Sequence, residues 1–183
     1  MDGGRLVNII SLRDIYACAN IQLEQELSHL KAAAGFRRTV LSSMAGSERL
    51  VTFGAGATVL EAAKAMAERV IGSVLIVKQD ELTGIFTERD VSLRVVAGGL
   101  DPQTTILGQV MTANPKTIGP NRLCGDILDM MREGGFRHLP VIDQRRLIGV
   151  ISIRDIYAAV INDLEVDFGK AMRGRAQSMS EDF

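Results

Sequence analysis

The sequence repeats itself at a fixed spacing, and this repeat constrains the fold more than any other feature. Residues 51–90 align without a gap on residues 116–155, with nine identical pairs in 40 positions. The apolar positions stay in register over the whole alignment. Because repetition at one period marks a repeated structural unit, we expect the chain to fold as two similar units.

Each copy contains the same series of predicted elements. A short extended segment leads into an amphipathic helix, then come two β-rich runs joined by a polar hairpin connection, "KQDE" or "DQRR". A second helix begins at residues 87–90 or 152–155. The apolar face of the first helix is predicted at Val59, Leu60, Ala63, Met66, Ala67 and Val70. The fold class is therefore α/β (α+β), with two β-α-β-β-α units flanked by long helices.

A partial third copy precedes the pair. Residues 5–17 match residues 146–158 at nine of 13 positions. We predict a remnant strand with a long helix at residues 1–40, one unit at 41–100, a second at 101–160, and the end of a C-terminal helix with a polar tail at 161–183. Residues 12–34 are predicted to form one long helix, and the apolar stripe along this helix needs a partner face. Packing within the chain and helix exchange in a homodimer both satisfy it, and we favour the homodimer.

Bulk composition narrows the function classes. The net charge is −1, so no overall basic field would hold a nucleic acid backbone. No apolar run approaches the ~18 residues of a membrane span. Cys18 and Cys124 share no metal-ligand spacing, and we predict a cytoplasmic protein without nucleic acid or membrane partners.

Four segments together resemble a tandem pair of CBS domains, the regulatory modules named after cystathionine β-synthase. They are "GIFTERD" (84–90), "GVISIRD" (149–155), "FRHLPVID" (136–143) and "VMTANPKTI" (110–118). The resemblance implies two units packed about a pseudo-twofold axis with two clefts between their sheets. It also implies adenosine-containing ligands such as AMP, ADP, ATP or S-adenosylmethionine, dimerisation through helices, and signalling of the energy or ligand state to an effector protein.

The chemistry of each second-helix start allows two interpretations. Thr87 with Asp90, and Ser152 with Asp155, have the spacing of a capping box, which satisfies free helix amides. The same helix start also suits a phosphate, and its carboxylate can accept from the vicinal hydroxyls of a ribose. Gly84 and Gly149 are expected to leave the strand surface open to a base.

The two clefts are predicted to differ. The second copy has Arg137 and His138 where the first has Gly72 and Ser73. A basic pair favours phosphates, so we expect the cleft of Ser152 and Asp155 to bind anionic nucleotides at least as tightly as its partner. Pro140 cannot donate to a sheet ladder, so its segment should lie at an edge or leave backbone free to face a base. The predicted nucleotide-binding residues are Thr52, Gly72, Ser73, Gly84, Thr87, Arg89, Asp90, Thr117, Arg137, His138, Pro140, Ser152, Arg154 and Asp155.

Catalysis is not expected. The sequence offers no nucleophile paired with a base, no phosphate-binding P-loop and no metal motif. The predicted function is a non-catalytic regulatory module that requires no cofactor and binds an adenine nucleotide, with magnesium as an optional companion. The alternative is a dimerising scaffold without any ligand.

Overall fold

The computed structural model describes residues 39–43, 50–159 and 161. The chain divides into two compact units, residues 1–36 and 37–183, and everything described belongs to the second. The predicted N-terminal remnant, most of the C-terminal helix and the tail lie outside the described residues. The helices are α1 (Val40–Ser43), α2 (Val59–Arg69), α3 (Glu88–Asp90), α4 (Leu107–Val110) and α5 (Cys124–Gly134), and the strands are β1 (Thr52–Phe53), β2 (Ser73–Lys78), β3 (Glu81–Thr87), β4 (Thr112–Ala113), β5 (His138–Asp143) and β6 (Arg146–Ser152).

The two copies repeat the same strand pairing. β2 and β3 form an antiparallel hairpin that places Ser73 opposite Thr87, and β5 and β6 place His138 opposite Ser152. Each hairpin has its register irregularity at the same place in the repeat, between Ile76 and Val77 or between Val141 and Ile142. α3 continues as a π-helical segment, Val91–Val96, and residues 153–159 are helical in the second copy. The predicted fold class is confirmed.

Both hairpin connections are two-residue turns with left-handed backbone. Gln79 and Asp80 have φ of 51° and 64°, and Gln144 and Arg145 have φ of 44° and 70°. Positive φ at both central residues is the feature of type I′ turns, whose twist matches the twist of the flanking strands. The predicted polar hairpin connections are therefore present in both copies.

The first copy belongs to a larger sheet than the second. β1 to β4 form one four-stranded sheet in sequential order, whereas β5 and β6 form a two-stranded sheet. In the first copy the amide of Leu75 donates to Val51 O at 3.0 Å. The corresponding residue of the second copy is Pro140, which has no amide hydrogen. The predicted strand at residues 116–119 is accordingly reduced to one bridge, between Ile118 and Val141.

The segments that lead into the two repeats are exchanged. α4 precedes the second repeat, but Leu107 donates to Ala57 O at 2.8 Å, and β4 pairs with β3 of the first repeat. α1 precedes the first repeat, but Val40 donates to Arg122 O at 2.9 Å in the second. Each repeat is therefore completed by a segment that the sequence places before the other repeat.

The first repeat has a continuous apolar core. Its buried residues come from the helices, the hairpin and the lead-in helix α4: Val59, Ala62, Met66, Ile71, Val74, Ile76, Phe86, Val95, Leu107 and Val110. The predicted face of α2 is partly wrong, because Ala62 is buried whereas Val70 is 71% exposed. α2 ends at Arg69, and Val70 adopts a left-handed conformation that turns its side chain away from that face.

Candidate functional site

Both strand-to-helix junctions form a complete capping box. In the first repeat, Asp90 Oδ2 accepts from the Thr87 amide at 2.9 Å and from Thr87 Oγ1 at 2.7 Å, and the Asp90 amide donates to Thr87 Oγ1 at 3.4 Å. The corresponding distances for Asp155 and Ser152 are 2.8, 2.6 and 3.2 Å. One carboxylate oxygen of each aspartate is therefore committed to the cap. Ligand binding at either junction has to use the other oxygen.

That second oxygen has different surroundings in the two repeats. Arg94 Nε lies 3.2 Å from Asp90 Oδ1, and its terminal nitrogens donate to Val110 O at 2.7 Å and to Thr112 Oγ1 at 3.0 Å. The residue that corresponds to Arg94 in the second repeat is Ala159. Within the described part of the chain, Asp155 Oδ1 has neither an ion pair nor a hydrogen bond.

A cavity of about 450 Å³ opens at the junction of the first repeat. This volume falls within the ~300–1,000 Å³ of small-molecule sites. Its wall combines the first helix entrance, the segment after β4 and the loop between α5 and β5. The lining residues are Gly72, Ile85, Thr87, Glu88, Arg89, Asp90, Arg94, Thr112, Asn114, Pro115, Lys116, Gly134, Gly135, Phe136, Arg137, His138 and Leu139. Residues of both repeats therefore face one space.

Cationic groups outnumber anionic groups in this wall. The wall contains two carboxylates, those of Glu88 and Asp90, and four cationic side chains: Arg89, Arg94, Lys116 and Arg137. Such an excess favours an anionic group in the cavity, because charge-assisted hydrogen bonds are roughly twice as strong as neutral ones.

Two contacts lie on the side of the cavity formed by the second repeat. Arg89 reaches across from the first repeat and donates to Gly135 O at 2.6 Å, at the carboxyl end of α5, where a cation is favoured by the helix dipole. The ammonium of Lys116 lies 5.7 Å from the centre of the Phe136 ring. Together they place an aromatic face and two cations around the space.

His138 is held neutral beside these cations. Its pKa is lowered from 6.5 to about 4, mainly by burial and in addition by the charges of Arg137, Arg154 and Arg89, while Asp155 acts in the opposite direction. Room for the imidazole depends on Gly72, because a Cβ there would lie 3.0 Å from His138 Nε2 and 3.3 Å from Glu88 Oε2. Gly72 of the first repeat thus accommodates His138 of the second.

The predicted site residues divide into two groups. Six line the cavity: Gly72, Thr87, Arg89, Asp90, Arg137 and His138. The others lie outside it: Thr52, Ser73, Gly84, Thr117, Pro140, Ser152, Arg154 and Asp155. The same 65-residue spacing that separates Asp90 from Asp155 relates Thr112 and Asn114, counted back along the chain, to Ser47 and Arg49, which lie outside the described residues. For the second predicted cleft, these counterparts in the lead-in segment are therefore outside the described residues, whereas the helix entrance at residues 152–155 and the segment at residues 69–74 are described.

One expectation about these residues is corrected, and the placement of two others is extended. Gly84 does not leave the strand open to a base, because the side chain of Met111 fills the place that a Cβ would take. The basic pair Arg137 and His138 lies in the cavity of Thr87 and Asp90. The pair also adjoins the second junction, since His138 is paired with Ser152 and the Ile153 amide donates to Arg137 O at 3.0 Å. That the cleft of Ser152 and Asp155 binds anionic nucleotides at least as tightly stays a prediction. Pro140 is buried and paired with Val150. Because proline has no amide hydrogen, it cannot donate to the carbonyl of Lys116 as Leu75 donates to the carbonyl of Val51 in the first copy.

Sequence reasoning missed several lining residues. Asn114, Pro115, Lys116 and Phe136 are in segments that were recognised as motifs, yet no role was assigned to them. Arg94 carried a usable signal, since it lies four residues after Asp90 on one helix face, the spacing of an ion pair.

Among the described residues there is no cluster of three or more side chains able to hold a metal ion. No helix in that part of the chain is long and apolar enough to cross a bilayer.

Solved structures with the same fold are numerous. A signal-transduction protein with CBS domains from Burkholderia ambifaria has 35% identity and a TM-score of 0.66, covering 69% of this chain and 96% of that one. A CBS domain protein from Pyrobaculum aerophilum complexed with AMP has a TM-score of 0.59 at 23% identity, over 68% of this chain and 99% of that one, a likeness that shows the fold alone. The CBS domain pair of protein MJ0100, in complex with 5′-methylthioadenosine and S-adenosylmethionine, has a TM-score of 0.59 at 23% identity over 67% of this chain and 94% of that one.

Two curated relatives are CBS domain-containing proteins. The CBS domain-containing protein CBSCBSPB2 of Arabidopsis thaliana is 35% identical over 118 residues, which are 64% of this chain and 22% of that protein. The chain thus spans about a fifth of that plant protein. YhcV of Bacillus subtilis is 32% identical over 108 residues, 59% of this chain and 76% of that protein. The CBS domain model matches residues 44–96 and 107–162, more than half of the sequence, and the chain therefore belongs to the CBS-domain family as a tandem pair.

Proposed function

We propose that this chain is a non-catalytic regulatory module that binds an adenosine-containing nucleotide in the cavity at Asp90. The observation that carries the proposal is that one cavity of ligand size joins a helix entrance of the first repeat to a basic, aromatic wall of the second. A helix start favours a phosphate, the Phe136 ring offers a face for a base, and Asp90 offers a carboxylate to the sugar.

The charge of the wall supports a phosphate-bearing ligand over a cationic one. S-adenosylmethionine carries a sulfonium and an ammonium group, whereas AMP, ADP and ATP are anions. Four cations against two carboxylates favour the anions. AMP, ADP or ATP, with magnesium as an optional companion, is therefore the proposed ligand class.

The proposed signal is a change in the relative orientation of the two repeats. A ligand that contacts Thr87 in the first repeat and Phe136 in the second favours one arrangement of the pair, and it shifts the population toward that arrangement. We further propose that the module acts as a homodimer on an effector protein. Leu93 and Val96, exposed by 65% and 71% on the second helix of the first repeat, supply an apolar contact surface for it.

A melting scan against a nucleotide panel tests the ligand. AMP, ADP, ATP and S-adenosylmethionine are added at fixed pH, with magnesium present or absent. A nucleotide at 100 times its dissociation constant should stabilise the fold by about 2.7 kcal/mol. Phe136→Ala and Lys116→Ala should weaken the shift, whereas Lys64→Ala, an exposed change on α2 outside the cavity wall, should leave it intact. A flat response to all four compounds would favour the ligand-free scaffold.

A further inference from the structure

The acceptor capacity of Asp90 limits which sugar it can recognise, and this inference rests on the proposed nucleotide function. A carboxylate offers about four acceptor positions, two on each oxygen. Thr87 fills both positions on Oδ2 through its amide and its hydroxyl, at 2.9 and 2.7 Å. Arg94 Nε forms an ion pair with Oδ1 at 3.2 Å, so its guanidinium occupies one side of that oxygen. The other side of Oδ1 is left for a ligand.

Arg94 is not easily displaced from that oxygen. Its guanidinium is fixed at three points, because the two terminal nitrogens also donate to Val110 O at 2.7 Å and to Thr112 Oγ1 at 3.0 Å. These partners lie on α4 and β4, the lead-in segment that packs against the first repeat. The Asp90 side chain is only 12% exposed, whereas the Arg94 side chain is 43% exposed, so water is excluded mainly from the carboxylate end of the ion pair. To reach that side of Oδ1, a ligand hydroxyl would have to displace a guanidinium held by one ion pair and two hydrogen bonds.

We propose that Arg94 is a specificity-determining residue that makes Asp90 accept one sugar hydroxyl rather than a vicinal pair. The second repeat provides the internal comparison. Ala159 stands at the position of Arg94, and Asp155 Oδ1 carries no hydrogen bond or ion pair within the described residues. The comparison predicts that Asp155 accepts both hydroxyls of a ribose, whereas Asp90 selects one of them.

The test compares AMP with its 2′-deoxy and 3′-deoxy analogues by calorimetry. Asp155→Asn is used as the background, so that the Asp90 cavity is observed alone. A hydrogen bond to a charged group contributes a factor of about ten or more to affinity. In the Arg94-containing protein, only one of the two deoxy analogues should bind about tenfold more weakly than AMP. In Arg94→Ala, both analogues should lose about tenfold.

Two further variants keep the test decisive. Arg94→Met retains the length of the side chain without its donors, and it replaces Arg94→Ala should that variant not fold. Arg132→Ala removes an arginine from an exposed pair with Asp129, outside the cavity wall, and should leave the preference of the parent unchanged.

The outcomes separate the two claims. If AMP binds but both analogues lose affinity equally with or without Arg94, the inference about Arg94 is wrong while nucleotide binding stands. If Asp155→Asn abolishes AMP binding, the Asp90 cavity is not the site and the inference is again wrong. If no variant and no parent protein binds AMP, the proposed function fails and the inference fails with it.

Discussion

Individual side chains decide how the two repeats differ. Thr87 with Asp90 and Ser152 with Asp155 make the same capping contacts within a few tenths of an ångström. The neighbours of the aspartates are not the same, since Arg94 is replaced by Ala159 and Gly72 by Arg137 in the second copy. The repeated motif therefore supplies a common frame, and the residues around it determine what each junction can bind.

His138 should make the stability of the fold depend on pH. Its pKa is about 4 in the folded protein and 6.5 when free, so between these values the unfolded chain binds the extra proton. Stability is then fully present above pH 6.5 and declines as the pH falls toward 4. From pH 7 to pH 5 the loss attributable to this group should be about 2 kcal/mol.

Urea denaturation at pH 7 and pH 5 measures this effect by difference. His138→Asn cannot take up the proton, so its stability should decline less over the same interval than that of the parent. Carboxylates that also titrate near pH 5 act equally in both proteins and cancel. An equal decline in the two proteins would show that His138 is not held neutral by its surroundings.

The site residues were predictable only where a motif fixes them. The spacing of Thr87 and Asp90 indicated a cap and a candidate anion site directly from the sequence. The same alignment assigned Arg137 and His138 to the second junction alone and missed that they also line the cavity at Asp90, because it treated each copy as its own binding unit. Lys116 and Phe136 could not be placed either, since their position depends on packing between the repeats and not on local spacing.

At the scale of elements, the helix ends differ between the copies in a way that affects stability. α2 ends in Val70 with φ of 54°, and α5 ends in Gly135 with φ of 67°. A residue with a Cβ costs roughly 1–2 kcal/mol in this left-handed region, and glycine costs little. The first repeat therefore carries a strained helix end at a position where the second repeat has none.

Substituting glycine at position 70 and valine at position 135 should change the free energy of unfolding in opposite directions. Val70→Gly should raise the free energy of unfolding by about 1 kcal/mol, since the Val70 side chain is exposed and loses little packing. Gly135→Val should lower it by at least about 1 kcal/mol. Chemical denaturation measures both. Val70→Ala, which keeps a Cβ, is the control and should gain less; a gain equal to that of glycine would point to a cause other than backbone strain.

The elements themselves were largely readable from the sequence. The hairpins and their polar turns follow from alternating apolar residues, and α2 and α5 follow from helical spacing. α4 and β4 were not predicted, since residues 107–113 are too few to show a period and are stabilised by contacts with the first repeat. Pro140 was expected to lie at an edge or to leave backbone free. It lies inside β5, paired with Val150, and the segment at residues 116–119 forms one bridge in place of a strand.

At the scale of the whole molecule, the exchanged lead-in segments and the hydrogen bond from Arg89 to Gly135 connect the repeats directly. Ligand contacts at Thr87 and Phe136 would act on opposite sides of that connection. The proposed signal therefore predicts that nucleotide binding changes the distance between equivalent points on the two repeats. Glu68 on α2 and Glu133 on α5 are such points, since both are exposed and neither lines the cavity.

Spin labels at Glu68→Cys and Glu133→Cys, with Cys18→Ser, provide this distance by pulsed electron resonance. Cys124 is 1% exposed and should not take up the label. Addition of AMP should shift or narrow the distance distribution, because the ligand selects one arrangement of the repeats. The shift should disappear in Asp90→Ala combined with Asp155→Ala. If calorimetry shows that a nucleotide binds but the distance distribution does not change, the repeats form a rigid receptor. The signal would then have to arise from the exposed surface of the bound ligand.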